Sequence, residues 1–465
     1  MTAPGPRISA GFLPDRPRLR IRLRTLHMKL PMRRPGALAD AFRPLWIGQT
    51  VSSLGTHVSM VALPLIAVLA LHVDPLELGV LAALETIPYL VLSLPAGVIV
   101  DRFDHRATMI VCDLGRAVAL GVAAIALALG SASIGLLYVV AVVVGSLSVF
   151  FTVACSSYLA VILPADRLVA GNQRLELSDS GARIAGPSIG GALVEFAGGA
   201  MAVVLDAASY VISAIALVSS PRRVRPRPPE STRIGLVDGI VVGLRHVAGD
   251  RILRDLAGST AVFNLGSGMV LAVIVLFATR DVGLDAAGFG LVYGIGNVGF
   301  VLGAMVVSAS TNRFGVGRSL LMTAYLSAVA MVLIAVAGPG PGMILLLAGR
   351  FVGAVATPVY NVNVLSLRQA RVDDEIMGRV NGTFQFVEWG ILPIGSLLGG
   401  AIAEVFGARA ALDAAAVCGI LSAVWLTFSP AQRLTSLADA RADVPAEGSR
   451  GEREPDPPHL PPLVA

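Results

Sequence analysis

Glu85, Asp113, Arg116, Glu176, Asp179, Arg183, Asp206, Arg350, Glu388 and Asp413 all stand within long apolar runs of the chain. An ionisable group there is costly unless it finds a partner or faces a watery interior, so each is a candidate for moving a proton or holding a charged ligand. Asp179 and Arg183 are four residues apart, pairing distance on a helix, with Glu176 on the same face. Asp113 and Arg116, at i and i+3, read as a structural pair. Nowhere does the sequence place a nucleophile beside a base, a glycine-rich phosphate cradle or a metal-ligand cluster, and its 6 histidines are scattered singly. Enzyme activity, a cofactor and ATP hydrolysis are therefore not expected, which leaves an ion gradient as the energy source. Cys112, Cys155 and Cys418 lie singly in separate apolar segments, so neither a disulfide framework nor a metal site is indicated.

The elements that must carry these charges are membrane helices. Hydrophobic residues make up 55% of the 465 positions and charged ones 14%, and the mean hydropathy is +0.76, well above what a water-facing surface tolerates. Apolar stretches near the length needed to cross the hydrocarbon recur between charge clusters and Gly/Pro punctuation. They predict an all-α membrane protein with twelve spans: 45–71, 76–100, 107–129, 134–159, 172–196 and 200–218, then 256–279, 287–307, 320–337, 343–367, 381–406 and 408–428. The basic, proline-rich leader has no cleavable-signal pattern, so the first span is expected to direct insertion; Met28 and Met32 are alternative starts. Every second loop carries arginine: Arg102 and Arg106, Arg167 and Arg174, Arg222 to Arg254, Arg313 and Arg318, Arg368 and Arg371. By the positive-inside rule those loops and both termini face the cytoplasm.

The expected organisation is a basic tail over 1–41, six helices over 42–219, a linker over 220–254, six helices over 255–429 and a disordered tail over 430–465. Within the linker, Ile234, Val237, Ile240, Leu244 and Val247 recur at helical spacing, which fits an amphipathic helix on the membrane surface or one packed on the loops. The halves resemble each other. Gly191-Ala-Leu-Val-Glu-Phe-Ala-Gly198 matches Gly400-Ala-Ile-Ala-Glu-Val-Phe-Gly407 at an offset of 209, Asp101-Arg-Phe103 matches Asn312-Arg-Phe314 at 211, and Leu205-Asp-Ala-Ala208 matches Leu412-Asp-Ala-Ala415 at 207. An even number of spans per unit makes the repeats parallel, an arrangement that rocks about a central cavity.

After the second span, Gly97-Val-Ile-Val-Asp101-Arg102-Phe-Asp104-His105-Arg106 resembles the loop signature of the major facilitator superfamily, with Asp104 in place of its second glycine and His105 in place of a basic residue. The resemblance implies a conformational latch at Gly97, Asp101, Arg102 and Arg106, with Asp101 held by a helix N-terminus or an arginine. In the fifth span, Gly186-Pro187-Ser-Ile-Gly190-Gly191 resembles the superfamily's exporter signature; its counterpart has Gly399-Gly400 without a Gly-Pro pair, implying a bend on one side only. Phe42-Arg-Pro-Leu-Trp-Ile-Gly-Gln49, Leu205-Asp-Ala-Ala-Ser-Tyr210 and Met377-Gly-Arg-Val-Asn381 are similar to the macrolide-efflux and enterobactin-exporter-like branch.

What that likeness implies is a monomeric, proton-coupled exporter of an amphiphilic small molecule in the bacterial cytoplasmic membrane, with no nucleic-acid partner. A lysophospholipid flippase and a non-transporting receptor or scaffold are the alternatives. The arginine that many such exporters carry in the fourth span is missing here, so coupling has to come from Glu85, Asp179, Arg183, Arg350 or Glu388. The 209 offset pairs Glu388 with Asp179. The former is the expected proton carrier, and the latter, beside Arg183, is expected to stabilise a cationic substrate or the Arg183 pair.

Overall fold

The computed structural model describes residues 35–100, 102–163, 165–220, 236–436 and Asp439. Its long elements are all helices: α1 Pro35–Leu69, α2 Pro75–Val100, α3 His105–Ala128, α4 Ile134–Ile162, α5 Ala165–Ala197, α6 Gly199–Ser219, α7 Leu236–Gly249, α8 Arg251–Leu276, α9 Ala286–Phe314, α10 Val316–Ala335, α11 Met343–Arg371, α12 Asp374–Phe406 and α13 Ala408–Thr427. Twelve of these have 20 residues or more, about the 30 Å that a bilayer core requires. Eleven spans qualify on length and apolar composition. The exception, α5, carries Asp179 and Arg183, which pair with each other rather than face lipid. The lipid side is visible on α3, where Val111, Val118 and Ile125 form an exposed apolar stripe at heptad spacing.

The helix boundaries reproduce the repeat. Both ends of α4 and α5 recur 209 residues later in α11 and α12, and the starts of α2 and α3 recur 211 later in α9 and α10. α5 runs into α6, and α12 into α13, through single residues, Gly198 at φ 83° and Gly407 at φ 88°. That left-handed backbone is open to glycine and strained for most other residues, which explains why both repeat phrases end on one. The third match misled, however. Asp206 is buried and Asp413 exposed, because α6 and α13 align at 209, which sets Asp206 against Ala415. Gly55 meets Ser209 and Asp206, and Gly266, 211 residues on, meets Ala415 and Cys418. The 207 spelling is a coincidence of composition.

Buried apolar residues fall into three groups. One spans both halves, from Val58 and Leu78 to Met331 and Leu412. A second belongs to the C-terminal helices, around Leu253, Leu320 and Phe384. The third, around Leu45, Met109 and Tyr158, belongs to the N-terminal ones. The halves thus share a core toward one end of the helices and have separate cores toward the other.

Two expected boundaries shift. α8 starts at Arg251, four residues before the expected second bundle, because the Asp250 carboxylate accepts from the Ile252 and Leu253 N–H groups at 2.8 and 3.0 Å and caps it. The tail expected to be disordered from 430 begins as a 3₁₀ turn, Pro430–Arg433. Buried Ala431 and Leu434 hold it to α10, and the Leu434 carbonyl accepts from Gly317 N–H at 2.9 Å. The arginine and proline stretch 221–235 lies outside the described residues. After it, α7 packs on α12 through Gly243 against the Arg379 carbonyl and buries Val247, while Val241 and Leu244 stay exposed.

Candidate functional site

Where α5 ends and α9 begins, the halves touch backbone to backbone. A Cβ on Gly191 would lie 2.2 Å from the Ala286 carbonyl, and Gly400 of α12 approaches Gly79 of α2 in the same way, a Cβ there lying 3.0 Å from the Gly79 Cα. The helix N-termini at this end donate across the seam: Ala286 N–H to the Glu195 carboxylate of α5 at 3.2 Å and Leu76 N–H to Glu404 of α12 at 3.4 Å. Each carboxylate meets orphan donors and the positive end of a helix dipole in the other half. The other exporter-like glycines pack inside their own halves, next to this seam. Gly186 packs on His57 and Gly190 on Val58 of α1, and their counterparts Gly395 and Gly399 pack on Gly268 and Met269 of α8. A one-sided device is therefore not what the packing displays: α12 has its own Pro393, and Gly395 takes the place of Gly186.

Deeper in the bundle, Asp179 accepts from Ser53 Oγ at 2.5 Å and from Arg183 Nε at 2.7 Å, and lies 3.2 Å from His57 Nε2. Asn297 of α9 extends this group across the halves: its Nδ2 donates to the Arg183 carbonyl at 2.6 Å, and its Oδ1 accepts from Arg350 Nη2 at 3.2 Å. The Arg350 guanidinium lies 4.0 Å from the Tyr293 ring centroid, a cation–π distance.

Glu388 is placed differently. It lines a cavity of about 320 Å³ with Asn264, Tyr360, Asn361, Trp389 and several hydroxyl side chains. A second cavity of about 230 Å³, lined by Met60, Tyr293, Phe300 and Arg350, shares Phe263, Ser327 and Thr357 with the first. The mix of aromatic walls and a few polar groups suits an amphiphile, and the first cavity reaches the size of a small-ligand site. Trp389 stacks on Tyr89 of α2 with centroids 5.1 Å apart, joining the halves beside Glu388. Neither Asp179 nor Glu85 is among the described lining residues; Glu85 is half-buried, with its carbonyl against Gly145 of α4.

Asp101 of the loop signature lies outside the described residues, and Arg102 is exposed. Nothing stands within 4 Å of a Cβ built on Gly97. Arg106 serves its own half, donating to the Leu217 carbonyl at 2.7 Å and to that of Val218 at the C-terminus of α6. Asp104, which departs from the signature, N-caps α3 through Ala107 N–H at 2.8 Å. Asp113 and Arg116 do form the expected pair, buried with Arg116 between the Phe151 and Tyr210 rings. Sequence reasoning missed Asn264, Asn297, Tyr89 and Trp389, and read Glu195 and Glu404 only as letters of a repeat. An amide inside an apolar span is the signal that could have found the first two. The buried Asp250–Arg371 pair, at 2.8 Å, also went unread.

Residues 35–447 match the family profile described as transmembrane secretion effector. Over 411 residues the chain is 30% identical to the multidrug efflux pump Tap of Mycobacterium tuberculosis, covering 85% of this chain and 94% of that protein. It is 25% identical over 390 residues to the MFS-type transporter YfiS of Bacillus subtilis, 81% and 89% of the two chains. Among solved structures, the nucleoside transporter NupG superposes with a TM-score of 0.68 at 13% identity, over 83% of this chain and 98% of that one. A bacterial homologue of the human lysosomal transporter Spinster, inward-facing and unoccupied, gives 0.65 at 14% identity, over 88% and 99%.

Proposed function

The chain belongs to the transmembrane secretion effector family of major facilitator transporters, and on that footing we propose that it is a proton-coupled exporter of amphiphilic small molecules. The observation that carries this reading is the setting of Glu388, a carboxylate that lines a cavity walled by aromatic and hydroxyl side chains between helices tied to a seam of glycines. Such a group can take a proton from one side and release it to the other as the halves rock. The closely packed seam supplies the two-state element, because backbones in contact at Gly191 and Gly400 are either seated or apart. Likeness to a multidrug efflux pump supports export over uptake.

In this reading the protein acts as a monomer, with both termini and the loops rich in arginine in the cytoplasm. The cavity then opens inward and the glycine seam closes the outer end. Labelling of single cysteines from outside the cell tests the orientation: a probe near Pro339 should react and one near Pro226 should not, and the reverse pattern would overturn it. Function is tested in proteoliposomes under an imposed pH gradient with cationic, neutral and anionic fluorescent amphiphiles. Movement that stops when an ionophore collapses the gradient is expected. Movement indifferent to the gradient would remove the proton from the scheme.

A further inference from the structure

Arg116, Arg183 and Arg371 each meet a carboxylate: Asp113, Asp179 and Asp250. Arg350 does not. Among the described residues no Asp or Glu oxygen lies within ion-pair distance of it; its contacts are the Asn297 amide oxygen and the Tyr293 ring, and its Nε is buried without a hydrogen-bond partner. It lies seven residues into α11, roughly 10 Å along the helix axis, well inside the apolar run. A guanidinium in such a place keeps its charge and retains unused donors, which is costly unless an anion comes to it.

The surroundings say where that anion would sit. Arg350 lines the smaller cavity with Tyr293, Phe300 and, from the N-terminal half, Met60, and this cavity shares the walls Phe263, Ser327 and Thr357 with the one beside Glu388. The side chain is also held in place. Gly296 leaves no room for a Cβ, which would lie 2.8 Å from that of Arg350, so α9 and α11 clamp the stem, and Asn297 orients the fork. A rigid planar fork with free donors in an apolar, aromatic-walled chamber is the geometry that binds a carboxylate or phosphate on an apolar body.

We infer that Arg350 forms an anion subsite in the smaller cavity, which selects amphiphiles carrying a carboxylate or phosphate. Tyr293 and Phe300 flank the bound headgroup, and the apolar body lies along Phe263. The inference rests on reading the cavity as the substrate site.

The test is equilibrium binding to the full-length protein in nanodiscs of neutral lipid. The probes are dansyl-labelled undecanoic acid, as its carboxylate, and the methyl ester of the same compound. The carboxylate should bind about tenfold more tightly than the ester, the scale of one charge-assisted hydrogen-bonded pair. In Arg350→Gln that ratio should fall to about one, and Arg350→Lys, which keeps the charge but not the fork, should fall between. Octyl phosphate should displace the carboxylate probe, and inorganic phosphate at equal concentration should not; equal displacement would make this a site for small free anions and overturn the amphiphile assignment. An acid-to-ester ratio near one in the unmodified protein would overturn the subsite without recourse to any variant, as would a preference that survives Arg350→Gln. Acid preference without gradient-driven transport counts against the export reading alone, and transport without acid preference counts against the subsite alone.

Discussion

Glu195 and Glu404 stand 209 residues apart, and each accepts a backbone N–H from the first turn of a helix in the opposite half, Ala286 and Leu76. They are the same device used twice. A carboxylate at a helix N-terminus contributes about 0.3 to 1 kcal/mol through the dipole, and a capping bond about 1 kcal/mol. All of it is gained only while that end is closed. Glu195→Gln with Glu404→Gln should therefore shift the population away from the closed seam, by about tenfold if the two caps together contribute ~1.4 kcal/mol. Spin labels at the exposed positions Phe196 and Leu291 would report it as a longer distance component. A distribution identical to the parent's would show that the caps do not hold the seam.

Glycine contacts at the two symmetry-related sites are unequal, which makes a graded prediction. An added methyl meets a carbonyl oxygen at 2.2 Å at Gly191, but at Gly400 the Pro75 carbonyl oxygen and the Gly79 Cα stand off at 3.0 Å. Gly191→Ala cannot be accommodated without parting α5 from α9, whereas a shift of a few tenths of an ångström relieves Gly400→Ala. Transport should be nearly abolished by the first and reduced only a few-fold by the second, with similar amounts of both proteins in the membrane. Equal activities would mean that the seam is not a contact of the working cycle.

The same comparison explains what could be read in the sequence. The phrases from Gly191 to Gly198 and from Gly400 to Gly407 stand out because three demands, a backbone contact, a cap and a left-handed joint, each fix a residue type within eight positions. The equivalence of α1 and α8 could not be read that way. It holds in backbone positions, Val58 with Met269, while the side chains facing the site have diverged, Ser53 to Asn264 and His57 to Gly268. The cavity was equally hidden. Thr260, Ser327, Thr357 and Ser422 come from four helices, and a lone hydroxyl in an apolar span usually just bonds its own backbone. The charges could be found because burying them is costly, but their grouping could not, since it depends on which helices become neighbours.

Arg106 separates the loop signature's expected role from what its described residues do. Its guanidinium closes off the last carbonyls of α6 at Leu217 and Val218, a favourable placement at the negative end of a helix. Arg106→Gln should lower the stability of the N-terminal half by about 1 to 2 kcal/mol, read as a lower thermal midpoint in detergent. Asp101→Asn, in the proposed latch, should cut transport with little change in that midpoint, because a latch biases a conformational equilibrium more than it holds the fold. If Asp101→Asn transports normally, the latch is dismissed; if Arg106→Gln melts like the parent, its contact with α6 carries no weight.

Asp179 and Glu388 occupy the same position of equivalent helices, yet their neighbours assign them different work. Asp179 is satisfied from three directions, by Ser53, His57 and Arg183. The group ties α1 to α5 and, through the Arg183 carbonyl and Asn297, to α9. Glu388 lines the cavity, and the contact that Asn264 makes there is to its backbone carbonyl, at 2.9 Å. Glu388→Gln should therefore abolish substrate-driven proton release in proteoliposomes while leaving equilibrium binding within a few-fold of the parent. Asp179→Asn should instead weaken the α1–α5–α9 connection, lowering transport and thermal midpoint together while the ratio of protons to substrate stays the same. Unaltered proton release in Glu388→Gln would refute its assignment as the carrier, and a changed ratio in Asp179→Asn would move the proton to the other half of the repeat.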